Sequence, residues 1–117
     1  MARYPEAEAG TWGVPDEYMF RYIESRLAEA GPDEAPLFII ALSTTHHPPF
    51  LMPDGAKRGD LPLYDVTRQP YFAAWDGLAD AFDTLRYAND QLGRFLTRVK
   101  ASAGGSRTIV ALSLIHI

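Results

Sequence analysis

The chain has 117 residues, about one small domain, with 47% hydrophobic and 22% charged residues, values that exclude a disordered tail or a coiled coil. Eleven Lys and Arg against fifteen Asp and Glu give a net charge of −4, which argues against a domain built to neutralise nucleic-acid phosphate, so no nucleic-acid partner is expected. With no Cys, disulfides, thiolate catalysis and Cys-ligated zinc are excluded.

The first eleven residues are polar and small and carry no apolar period. Phe20, Ile23, Leu27 and Ala30 then recur at spacings of three and four, predicting a helix of about four turns that begins near Asp16 and stops at Gly31-Pro32. Asp16 is the expected N-cap, its carboxylate facing the free amides and the positive end of the helix dipole. Trp12, just before this start, reads either as a stacking platform for a substrate or, more commonly, as an apolar plug beside the helix.

Residues 37–42, Leu-Phe-Ile-Ile-Ala-Leu, are apolar on both faces and have the length of a buried central strand. This run is far short of the roughly 20 residues a membrane-spanning helix needs. Ser43-Thr44-Thr45-His46-His47-Pro48-Pro49-Phe50 follows, where the paired prolines force the chain out of a sheet. Residues 51–68 read as a long surface loop. From Pro70 a second helix is predicted, with Phe82, Leu85, Asn89, Leu92, Leu96 and Val99 on its apolar face. Gly93 inside it implies close packing against a sheet, and the helix ends at Ala103-Gly104-Gly105-Ser106. Thr108-Ile109-Val110-Ala111-Leu112 reads as a second buried strand, so the expected class is α/β, with a right-handed βαβ unit.

The chemistry-bearing feature is His46-His47. Such imidazoles bind anionic oxygen when protonated, bind a metal when neutral, or exchange protons near neutral pH. In the blander alternative, one ring caps the strand through a backbone carbonyl and the other faces solvent. Adjacent residues on an extended chain point opposite ways, which disfavours joint chelation of one metal. A three-His zinc site with His116 is disfavoured with it. There is no phosphate-cradling Gly-rich loop, Gly-x-Ser-x-Gly elbow or His-Glu-x-x-His, so a complete catalytic set is not expected.

Taken together, residues 12–17, 36–50, 87–95 and 108–112 resemble, in order and spacing, the sulfatase domain of the lipoteichoic acid synthase and phosphoglycerol transferase family, within the alkaline phosphatase superfamily. The resemblance implies a partial alkaline phosphatase/sulfatase-like sandwich, ordered helix, strand, long loop, helix, strand. Residues 1–112 would be an internal fragment of the catalytic domain. His47 matches the family's substrate-binding His before its proline turn, while His46 stands where Asn is usual. In the helix motif, Asn89 stands where Asp is usual, with Asp90 next to it. The implied parent is a membrane-anchored enzyme on the extracytoplasmic face of the bacterial inner membrane, a metal-binding transferase using manganese or magnesium. It would carry the phosphoglycerol head group of an anionic lipid from a Thr nucleophile to a glycan or polymer acceptor.

Nucleophile and metal ligands are expected outside this sequence, as are the membrane segments, so the fragment is expected to be inactive alone, with no metal bound. A hydrolase of the same superfamily, acting on phosphate or sulfate esters, and a small non-catalytic α/β binding module are the alternatives. Where the family carries Gly-Asp-His after its strand, this chain reads Ser113-Leu114-Ile115-His116-Ile117. With Leu112, that run resembles the translation of a transposon-end sequencing adapter. Residues 113–117 are therefore expected to be a non-native tail, with no role for His116.

Overall fold

The computed structural model describes residues 4–7, 10, 12–56 and 77–113. Two helices organise them: α1, Asp16–Glu29, and α2, Leu78–Ala101, followed by one 3-10 turn, Gly105–Arg107. The helices pack on each other through Phe20, Ile23, Phe95 and Val99, with Met19, Leu27, Leu92 and Leu96 partly buried around them. At the centre the rings of Phe20 and Phe95 stack with centroids 4.8 Å apart and planes 20° from parallel. On the rim, Arg98 Nε donates to both carboxylate oxygens of Glu24, at 2.9 and 3.0 Å. Such an exposed pair contributes only about 0.2–1 kcal/mol, so the apolar contact carries the association.

The α/β expectation is overturned. Among the described residues there is no strand, only an isolated antiparallel bridge between Gly10 and Gly13. The expected sulfatase-like sandwich and βαβ unit are therefore not formed by them. Residues 37–42 and 108–112, expected as buried strands, are neither strands nor buried: Phe38 is 85% exposed, Ile40 79% and Ile109 96%. The physical reason is that a strand exists only through its ladder. High β-propensity records how well side chains suit a half-buried pleated surface and does not supply the neighbour that makes one.

The first helix follows its apolar period closely: Phe20 and Ile23 are buried, and it ends at Glu29, before Gly31-Pro32. The second keeps the C-terminal half of its expected stripe, with Val99 buried and Leu92 and Leu96 packed against the core, but over its N-terminal half the buried face is offset by about one residue, or 100°. Leu78, Ala81, Thr84, Tyr87, Phe95 and Val99 are buried, whereas Leu85 is 41% exposed and Asn89 faces outward, its amide donating to the Leu85 carbonyl at 2.9 Å. Gly93 is also corrected: it is exposed, and a Cβ built there meets nothing within 4 Å, so no close contact requires a glycine. The stop after α2 does need one, since a Cβ on Gly105 would lie 2.6 Å from the Val99 carbonyl oxygen and 2.7 Å from that of Lys100. The start expected at Pro70 and most of the expected loop over 51–68 lie outside the described residues, as does His116.

Tyr87 shows the limits of a two-helix core. Its hydroxyl is buried beside Glu17 with no hydrogen-bond partner of good geometry among the described residues, and burial first, then the Glu17 charge, pushes its pKa well above the usual tyrosine range. No described helix is long and apolar enough to cross a membrane.

Candidate functional site

Residues 43–50 are held against the N-terminal ends of both helices, and Asp16 is the main anchor. It is not the N-cap foreseen from the sequence: Pro15 occupies that position, and Asp16 is the first helical residue, only 1% exposed. Its carboxylate accepts from the Ser43 hydroxyl at 2.5 Å and from the amides of Thr44 and Thr45 at 3.0 and 3.2 Å. In return the Asp16 amide donates to Thr45 Oγ1 at 3.0 Å. The loop threonine thus supplies the side-chain cap that the local sequence lacks, satisfying one orphan amide of α1 from 29 residues away.

From this anchored stretch the two histidines are taken up by different elements. His46 Nδ1 lies 3.1 Å from Thr84 Oγ1, on the buried face of α2, and its ring sits 5.3 Å from that of Phe50. Thr84 is fully buried and turns its own hydroxyl proton to the Asp80 and Ala81 carbonyls, so its oxygen accepts from His46. Burial lowers the pKa of His46, an effect opposed by the Ala81 carbonyl and the Asp16 charge. The ring is thereby favoured in its neutral form.

His47, the residue assigned to substrate, lies on the other side. Its ring is tilted 44° against Trp12 with centroids 4.2 Å apart, and its Nδ1 donates to the Pro48 carbonyl at 2.9 Å. Trp12 Nε1 donates to the same carbonyl at 2.7 Å. Trp12 is 56% exposed, so the plug reading fails, and its indole serves as a wall for the imidazole. The tryptophan is brought there by a tight backbone exchange between Gly10 and Gly13, at 2.8 and 3.3 Å. Gly13 has φ of 138°, a conformation other residues rarely adopt, and its Cα faces the Thr44 side chain. The turn closes with a cis bond between Pro48 and Pro49, Phe50 at φ of 58°, and the Phe50 amide donating to the His47 carbonyl at 2.8 Å.

Chemically, this arrangement offers one imidazole, His47, whose Nε2 has no partner among the described residues, beside an exposed aromatic wall. His46 is turned away to α2. Among the described residues no three His, Asp or Glu side chains converge on one point. The described residues do not by themselves form a manganese or magnesium centre. Asp16, Thr84 and Trp12 were missed as partners of residues 43–48 because their links to that stretch span 27 to 38 residues and leave no local spacing signal.

No family model matches the chain, and no solved structure matches it.

Proposed function

We propose that this chain contributes the head-group-binding segment of a metal-dependent phosphoglycerol transferase-like enzyme of the cell envelope, with His47 holding the phosphate ester of an anionic lipid head group. The observation that supports the reading is the state of the His47 ring: Nδ1 is committed to the Pro48 carbonyl, the ring is backed by Trp12, and Nε2 has no partner among the described residues. When protonated, such a ring donates a charge-assisted hydrogen bond from Nε2 to a phosphoryl oxygen. The proposal assigns no nucleophile and no metal ligand to the described residues. The test is an NMR titration of the histidine-labelled full chain with inorganic phosphate and with glycerol phosphate. His47 ring signals are expected to move with a dissociation constant in the low millimolar range, about 4 kcal/mol of binding, and His47→Gln should abolish the response. Equal movement of His46 and His47, or none at His47, overturns it.

A further inference from the structure

We infer that Trp12 is a positioning residue that sets the tautomer and direction of the His47 ring, so that Nε2 is the atom that meets the ligand. This deepens the head-group-binding reading and rests on it for the ligand, though not for the ring geometry.

Two side-chain donors meet at one oxygen. The Pro48 carbonyl accepts from Trp12 Nε1 at 2.7 Å and from His47 Nδ1 at 2.9 Å, one donor for each of its two lone pairs. A carbonyl has no proton to give, so the contact with His47 exists only when Nδ1 carries hydrogen. The neutral ring is then the Nδ1–H tautomer with a bare lone pair on Nε2, and the charged ring presents Nε2–H. Free histidine in water favours the opposite neutral tautomer, so the site must supply the difference.

Trp12 supplies it in two ways. Its indole lies against the imidazole at 4.2 Å and restricts ring rotation, and its N–H holds the carbonyl that Nδ1 needs. Its own attachment reaches across 36 residues, and half its surface remains in water, where an indole without such a role contributes little to folding. The consequence is directional. A phosphate reaches His47 only at Nε2, and Trp12 affects binding without being required to touch the ligand.

The test uses the full chain and long-range proton–nitrogen NMR of the imidazole, recorded at a pH where the ring is neutral, with inorganic phosphate as probe in a parallel titration at lower pH. The wild-type chain is expected to show His47 as Nδ1–H. Trp12→Ala should return it toward Nε2–H and weaken phosphate binding about three- to tenfold, the worth of one aromatic contact. Trp12→Phe, which keeps a stacking ring, should restore most of the Nδ1–H population. Protection of the Thr44 and Thr45 amides reports that the loop is intact in each variant.

A wild-type Nε2–H tautomer, or a tautomer unmoved by Trp12→Ala with the loop intact, overturns the inference. If the tautomer shifts as expected but phosphate binds neither wild type nor variant, the positioning role stands and the head-group reading falls. If the neutral wild-type ring is the Nε2–H tautomer and phosphate still binds His47 at lower pH, the positioning role falls and the head-group reading stands.

Discussion

Replacing Asp16 by alanine removes the acceptor for three hydrogen bonds that hold residues 43–45 to α1. Ser43 is exposed and Thr44 half-buried, so water replaces their lost partner and each bond costs its net value, about 0.5–1.5 kcal/mol. Thr45 is only 8% exposed; its amide would be left dry, at about 1–3 kcal/mol. The total is about 4 kcal/mol, a large fraction of the 5–15 kcal/mol that stabilises an ordinary domain. With an m value of about 2 kcal/mol/M, the urea midpoint followed by circular dichroism should fall by about 2 M. Hydrogen exchange gives the local reading: Thr44 and Thr45 amides protected in the wild type should exchange freely in the variant. Asp16→Asn keeps one oxygen for the two amides and should cost about 1 kcal/mol. A loss below about 0.5 kcal/mol for Asp16→Ala, with both amides still protected, would refute the claim that this carboxylate holds the loop.

Three further outcomes follow from the same geometry. Phe95→Ala removes half of the central ring stack from a core with four buried members and should cost about 3–5 kcal/mol, seen as loss of a sharp urea transition; retention of a wild-type midpoint would show that α1 and α2 are not held by this contact. Gly93→Ala places a methyl in open space on the exposed side of α2 and should raise stability by about 0.5–1 kcal/mol in the same melt, whereas destabilisation would mean that Gly93 is packed. The folded-state pKa of His46 lies below its ordinary 6.5, so its contribution to stability is fully present above that value and is lost as pH falls through 6.5 toward the folded pKa. Melts across this window should show that loss in the wild type and a shallower one in His46→Gln; equal slopes would remove His46 from the account.

How far the fold was legible can be judged helix by helix. The apolar period of α1 and its stop at Gly31-Pro32 are local properties, and the structure reproduces them because a single amphipathic face meets a single partner. In α2 the same kind of pattern places Leu92, Leu96 and Val99 correctly but misplaces the buried face of the N-terminal half by one residue. Thr84, polar by type, sits at the centre of that face with its hydroxyl satisfied internally, while Leu85 beside it lies toward water. Polarity alone does not rank these two, since hydrogen bonds made within a helix remove the cost of burying a threonine.

What the sequence by itself determined was local: two helical segments and their stops, and the prolines that end the run at residue 47. What only the tertiary structure decided was which groups meet. The apolar runs over 37–42 and 108–112 carry every compositional mark of strands, yet a ladder is a property of two segments, and no described residue forms one with them. Asp16 was readable as a helix-start acid, but not as the acceptor for Ser43, Thr44 and Thr45. Trp12 was readable as an aromatic near a helix, but not as the wall that shares the Pro48 carbonyl with His47. These contacts join residues 27 to 36 positions apart, and loop closure over that distance depends on the packing of everything between, which no local pattern encodes.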